Sequence, residues 1–353
     1  MGELNMESFL LRAREVCGAE HVFWPNPGSA ILVQPETTSQ VSSIVRAARE
    51  HDCRLRLFSP EDTCGEGGVL LDLRRMNQIV QQDALGSWVF AQTGITPAEL
   101  ETRLNAAGFT LRCHFAGHQN LPLAGLFSLP VPGFHPGPAI HRLIAVTGVW
   151  VDGSTFRTRI SPRQAVGPDL RTFFARQHGA SVVVTEACLA VFSTAVPTGY
   201  ETLSFSSLSE AQDTAFSLLG AAPLSPLEQA LEFDQERWLL HLWFWGPAAC
   251  VAVARDRAAH RPKAVARGEG PAREFWVQRA LADTTPRAAV GLEAEALARL
   301  ELAPGDFVSC FAPGRAILYT VRPENADPVF LGEPTDPVLS AWLRSCLDVK
   351  KEQ

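Results

Sequence analysis

Gly65, Gly67 and Gly68 lie between two apolar runs, Leu55 to Phe58 and Val69 to Leu73. A glycine-rich loop that follows a strand can aim backbone N–H groups at a phosphate. Glycine reaches φ > 0 and has no side chain to block the approach. The first half of this loop opposes that use. Pro60 has no N–H to give, and Glu61 and Asp62 carry like charge toward any phosphate. At a separation of about 5 Å and an effective dielectric of roughly 20, one such pair costs about 3 kcal/mol. That is on the order of a hundredfold in affinity. Two readings of the segment stay open: a phosphate cradle that has lost part of its lining, or a surface loop joining two strands.

A second group with chemical potential is His114 and His118, spaced as HxxxH beside Cys113, with His135 and His141 following. On a helix, that spacing would place two ligands on one face. Here the stretch is rich in Pro and Gly, so the pair is read as ordinary loop histidines and no metal is expected. His241 sits among Leu239, Leu240, Leu242 and Trp243 and reads as a hydrogen-bonded histidine within a sheet. The eight cysteines are scattered without a CxxC. That argues against a disulfide framework or an iron–sulfur site, and for buried free thiols in a reducing compartment.

These groups need a scaffold. Residues 7–17 read as a short amphipathic helix and Ala30 to Val33 as a strand. Thr37 and Gln40 have capping-box spacing, and Val41, Ile44, Val45 and Ala48 then recur at helical period. With the flanking apolar runs this makes a β-α-β unit with the glycine loop inside it. Trp88 to Gln92 is a strand. Thr96, Pro97 and Glu99 open a helix that Gly108 stops. Residues 117–138 are irregular, and long loops of that kind in compact domains are usually functional or partner-bound. Ile144 to Val151 and Ser154 to Thr158 form a hairpin about Asp152-Gly153. Gly167 to Arg176 is a helix and Val182 to Phe192 a strand.

After Pro197 the pattern changes. Leu203 to Phe205, Leu227 to Phe233, Trp238 to Trp245, Phe307 to Phe311 and Ala316 to Val321 read as strands. Ser207 and Glu210 cap a helix running to Gly220, Pro247 opens another, and a third spans Ala272 to Ala282. The expected fold class is α+β, with a ferredoxin-like antiparallel layer as the second part. Expected boundaries are 1–195, 196–335 and a C-terminal tail at 336–353. A charge of -7 with no Lys/Arg run disfavours nucleic acid. No segment approaches the roughly 20 apolar residues of a membrane span. Residues 1–20 hold no apolar run of signal-peptide length. The expectation is a cytoplasmic protein, membrane-associated only through partners.

Four segments, in order and at compatible spacing, carry a resemblance. They are Pro35 to Arg46, Val69 to Asn77 (VLLDLRRMN), Thr93 to Leu104 with Gly94 and Leu100, and Gly167 to Leu189 (GPDLRTFFARQHGASVVVTEACL). Together they resemble the FAD-binding domain of the vanillyl-alcohol oxidase and p-cresol methylhydroxylase (PCMH) superfamily. Within it the likeness is nearest to the glycolate oxidase E-subunit family. The resemblance implies a two-part PCMH-type FAD-binding domain followed by an antiparallel α+β cap or substrate domain. It also implies a glycolate or D-2-hydroxy-acid oxidase complex with a homologous FAD-containing catalytic subunit and an iron–sulfur subunit.

By the same resemblance, FAD would touch Ser59, Thr63, Cys64, Gly65, Gly67 and Gly68 in the glycine loop. It would also touch Ala124, Gly125 and Leu126 in the second flavin segment, and Asp169, Val183 and Thr185 beyond it. No His lies between Asp52 and Leu111, so attachment through that loop is excluded and any FAD is non-covalent. The second segment keeps one glycine of the family's pair, and Pro122, Pro130 and Pro132 crowd it. Oxidising a 2-hydroxy acid needs a base and a cationic carboxylate site. The second half shows no acid/base cluster, only scattered Arg237, Arg273, Arg279, Arg315 and Arg322. No catalytic residue is assigned. Trp238, Trp243, Trp245 and Trp276 supply core rings or a subunit interface. Two roles remain: an FAD-binding redox subunit with weakened or lost FAD binding, or a non-catalytic scaffold with the same fold.

Overall fold

The computed structural model describes residues 3–26, 29–58, 68–112, 121–126, 132–133, 137–138, 142–161, 170–177, 179, 181–220, 226–276, 288–293, 302, 307–312 and 315–320. In chain order the first half holds α1 (Glu3–Cys17), β1 (Val22–Phe23), β2 (Ala30–Val33), α2 (Thr38–Glu50), β3 (Leu55–Leu57), β4 (Gly68–Leu71), β5 (Ile79–Asp83) and β6 (Trp88–Gln92). Then come α3 (Pro97–Ala106), β7 (Phe109–Thr110), α4 (Leu123–Leu126), β8 (Pro132–Gly133), β9 (Gly137–Pro138), β10 (Leu143–Trp150) and β11 (Thr155–Arg157). α5 (Leu170–Arg176), β12 (Val182–Ala190) and β13 (Phe192–Ser193) follow. The second half holds β14 (Thr198–Phe205), α6 (Leu208–Leu219), β15 (Glu228–Phe233), β16 (Trp238–Trp245) and α7 (Ala248–Ala259). It ends with β17 (Val265–Gly268), α8 (Glu269–Glu274), β18 (Ala288–Glu293), β19 (Phe307–Ala312) and β20 (Arg315–Thr320).

Three sheets organise these elements. The first has the order β1-β2-β4-β3, with β2, β4 and β3 parallel. The connection β2-α2-β3 is the β-α-β unit expected from the sequence, and the glycine segment joins β3 to β4. α2 forms where its cap dictates: the Thr37 hydroxyl accepts from the Gln40 N–H, and the first buried residue is Val41. The second sheet, β11-β10-β12-β6-β5, is antiparallel throughout. The third has seven antiparallel strands in the order β17-β14-β16-β15-β19-β20-β18.

α2 joins the first two sheets. Its apolar face packs with Met6 and Phe9 of α1, Ile31 and Val33 of β2, Leu71 of β4, and Val149 and Val183 of the second sheet in one buried cluster. The opposite face of the second sheet belongs to a larger cluster. There Val89, Val146, Val184 and Leu189 are continuous with Leu227, Trp243, Phe275, Trp276 and Phe307 of the second half. α6 and α7 cover the other face of the seven-stranded sheet through Leu203, Phe205, Leu240, Leu242 and Phe244.

Two features fix the joint between the first and second sheets. Asp72 follows β4 and is almost wholly buried. It accepts from Gln34 Nε2 at 2.8 Å, from the Arg74 backbone N–H at 3.0 Å and from Arg74 Nη2 at 2.7 Å. Burial pushes its carboxyl pKa up, but these donors outweigh it and hold the pKa below the usual value. The chain then turns through Leu73–Arg75 and meets Gly94. A Cβ on Gly94 would stand 1.7 Å from the Leu73 carbonyl oxygen, so only glycine fits there.

Several sequence expectations are revised. The ferredoxin-like layer is instead seven strands, because β17, β18 and their neighbours extend it. β5 and β17 are edge strands with mostly exposed residues, so they lack the alternation that marks a half-buried strand. The helix expected at Ala272 starts at Glu269; Pro271 sits in its first turn, where a missing N–H costs nothing. The tail at 336–353 lies outside the described residues. Among the described residues, no helix is long and apolar enough to cross a membrane.

Gly94→Ala is expected to lower stability by about 3 kcal/mol, since a backbone carbonyl cannot give way as a side chain can. Urea unfolding followed by circular dichroism measures it, and a loss under about 0.5 kcal/mol would contradict this packing. Asp72→Asn is expected to cost about 2 kcal/mol at pH 7. A carboxylate with a lowered folded pKa stabilises above its unfolded pKa, and that stability is lost as pH falls through the folded value. The deficit of the Asn variant should therefore shrink steadily below about pH 4.

Candidate functional site: a cleft between helix α2 and the second sheet

The ligand residues expected from sequence divide into three groups. Ser59, Thr63, Cys64, Gly65, Gly67 and Asp169 lie outside the described residues, as do His114, His118, His135 and His141. Leu126 ends α4, and its side chain is likewise outside the description. Gly68, Ala124, Gly125, Val183 and Thr185 are placed.

Gly68 opens β4 at φ 137°, with the Arg54 carbonyl oxygen 2.8 Å from where a Cβ would be. Its backbone shape is therefore set by strand β3 next to it. Ala124, Gly125, Val183 and Thr185 are linked through Thr93, which was not singled out. The Thr93 N–H donates to the Thr185 carbonyl at 3.0 Å, and its hydroxyl donates to the Val184 carbonyl at 2.7 Å. The Ala124 N–H donates to the Thr93 carbonyl at 3.0 Å. Among the described residues, no atom lies within 4 Å of where a Cβ on Gly125 would be. The Thr185 hydroxyl is engaged within the protein. It bonds the Thr38 hydroxyl at 2.8 Å and lies 3.3 Å from the Thr147 carbonyl, so it fastens α2 to the second sheet.

Val183 faces a cleft of about 290 Å³ between α2 and the second sheet. Its walls are mainly Val45 and Ala48 of α2, Leu55 of β3, and Val149 and Val183. Gly179 completes one side at φ 81°, where a Cβ would press on Leu57 Cδ1 at 2.9 Å. An apolar slot of that volume suits a planar heterocycle with its sugar, near the small end of ligand clefts. The described residues thus fit the adenosine end of an FAD molecule and provide walls for that end alone. Ala48, Val149 and Gly179 come from three separate segments of the chain, and no local pattern marks them as a set.

The second half presents no comparable opening for chemistry at His241. Its ring is buried, with Nε2 3.1 Å from the Glu232 carboxylate and Nδ1 3.1 Å from the Thr202 hydroxyl. The carboxylate holds the proton on Nε2, and Nδ1 accepts from Thr202. Phe275 stacks on the ring at 4.5 Å and is itself packed edge-on against Trp276 and Phe307. The expected sheet histidine is what the structure shows. A smaller cavity of about 240 Å³ lies beside Tyr200, Trp243 and Trp245. Glu101 borders it, its carboxyl pKa raised by burial. Among the described residues no three His, Cys, Asp or Glu side chains could hold a metal. Cys17, Cys53, Cys188 and Cys250 are free, and burial pushes the Cys188 thiol up to about 12.

Residues 29–159 match the FAD binding domain family. Over 267 residues the chain is 27% identical to an uncharacterized FAD-linked oxidoreductase, YgcU, of Escherichia coli O157:H7, covering 71% of this chain and 53% of that protein. It is 24% identical over 131 residues to L-gulonolactone oxidase of Scyliorhinus torazame, covering 35% and 30%. The chain spans about half the length, or less, of the curated relatives it matches. Among solved structures, 4-ethylphenol oxidase from Gulosibacter chungangensis superposes with a TM-score of 0.69 at 14% identity, over 90% of this chain and 83% of that one. p-Cresol methylhydroxylase gives 0.68 at 13% identity, over 92% and 85%. Residues 29–159 therefore match an FAD binding domain, and the chain has the fold seen in 4-ethylphenol oxidase and p-cresol methylhydroxylase.

Proposed function

We propose that this chain is the FAD-binding-type subunit of a complex that oxidises glycolate or another D-2-hydroxy acid, with FAD held weakly or lost in this copy. The observation that carries the reading is the pairing of an adenosine-sized cleft on the α2 side of the second sheet with an opposite face of that sheet filled by apolar side chains. FAD, when bound, supplies the two-electron acceptor. The chain's own part is to exclude water from the heterocycle with Val45, Val149 and Val183, and to hold the two sheets together at Thr38 and Thr185. Its relatives named as FAD-linked oxidoreductases support the reaction class. Removing a proton from a 2-hydroxy acid needs a base that reaches it. Since His241 is enclosed, the base in this reading belongs to a homologous flavin subunit, and an iron–sulfur subunit takes the electrons.

A second reading is favoured by Phe275 and Trp276, which are buried against Trp243. A face closed by three aromatic groups suits a scaffold that keeps the fold without the chemistry. The discriminating measurement is the absorption spectrum of the chain with its co-purifying partners, then acid release and flavin quantification per copy. The expected result is well under one flavin per copy of this chain. Ser181→Trp, which fills the cleft from its rim, should abolish what remains while leaving the far-ultraviolet dichroism unchanged. One tightly held flavin per copy, unaffected by that substitution, would refute weak binding at the cleft. Glycolate turnover by the isolated chain would refute the subunit role.

A further inference from the structure

On the far side of the β10–β11 hairpin from the Val183 cleft, a second and larger hollow opens at the free edge of the second sheet. It has a volume of about 580 Å³ and runs between α2 and β11. Two guanidinium groups border it, Arg46 on α2 and Arg157 on β11, and no carboxylate lines it. Ser43, Thr147 and Thr155 fill in between them.

Neither arginine has a carboxylate partner within ion-pair distance among the described residues. Arg46 Nη2 donates to the Gly153 carbonyl at 3.2 Å, which steadies the guanidinium at the rim. Arg157 lies over the Phe90 ring at 4.3 Å, held by the ring's negative face with its N–H edge left over. Thr147 is the partner of Arg157 across the strand pair, so both side chains leave the same sheet face. The Thr147 hydroxyl is buried without a hydrogen-bond partner. That hydroxyl is closed off from the hollow, so a ligand there would meet the two guanidinium groups first.

We infer that this hollow binds a small soluble phosphate or diphosphate anion, with Arg46 and Arg157 as its charged clamps. The chemistry matches the lining: guanidinium forks and hydroxyl donors suit the tetrahedral oxygens, and none of the lining residues is acidic. The site is distinct from the Val183 cleft, with which it shares no lining residue. It does not depend on the proposed oxidation reaction.

The test is calorimetric titration of inorganic pyrophosphate into the purified full chain, with and without added FAD, at low ionic strength. Binding in the millimolar range or tighter is expected. Arg157→Gln and Arg46→Gln should each weaken it at least tenfold. FAD should leave the affinity unchanged. No heat of binding in the parent chain would overturn the assignment. So would equal affinity in the arginine variants, provided their melting temperatures match the parent. Loss of pyrophosphate binding on adding FAD would also overturn it, by showing that the anion occupies the flavin's own site.

Discussion

Helix α2 has to satisfy two sheets at once. One stripe of Val41, Ile44, Val45 and Ala48 must close the parallel sheet, and part of the same surface must meet Val149 and Val183 of the antiparallel one. The two sheets share no hydrogen-bond ladder, so the helix and the short turn after Asp72 carry their relative placement. A bond between two threonine hydroxyls, Thr38 and Thr185, fixes the N-terminal end of the helix. Near its middle, Ser42 donates to the Gly153 carbonyl at 2.5 Å. Both clefts described above owe their shape to this arrangement, since α2 supplies a wall of each.

Much of the local architecture was legible in the residues. The Thr37 and Thr96 caps, the Asp152-Gly153 hairpin and the strand Trp88–Gln92 stand where pattern and turn chemistry put them. The capping box at Thr96 and Glu99 is complete in both directions. Edge strands were not legible. β5 and β18 obtain their conformation from one neighbour, and β5 shows little of the alternation that burial imposes. The width of the third sheet followed from these same strands.

The candidate site was legible only in part. Val183 belongs to a recognisable strand motif and does line the cleft. Thr185 belongs to the same motif, but its hydroxyl is spent on Thr38 and the Thr147 carbonyl. A motif fixes the backbone path and leaves open what each side chain will meet. Thr93 shows the converse. It opens the Thr93 to Leu104 segment, yet nothing in that segment foretells that its N–H, carbonyl and hydroxyl together tie Thr185, Ala124 and Val184 to one point. Such bridging residues are defined by partners far along the chain, and a single sequence has no local signal for them.

The Thr38–Thr185 bond spans 147 positions. Translation at about 5–20 residues per second puts roughly seven to thirty seconds between the emergence of its two ends. Through that interval the nascent helix presents Val45 and Ala48 with no second sheet to cover them. The polypeptide must therefore leave the ribosome with an open apolar seam that closes only when β10 and β12 have both been made. This gives the first half a long window in which a chaperone, or another growing copy, can reach that seam before its own sheet does.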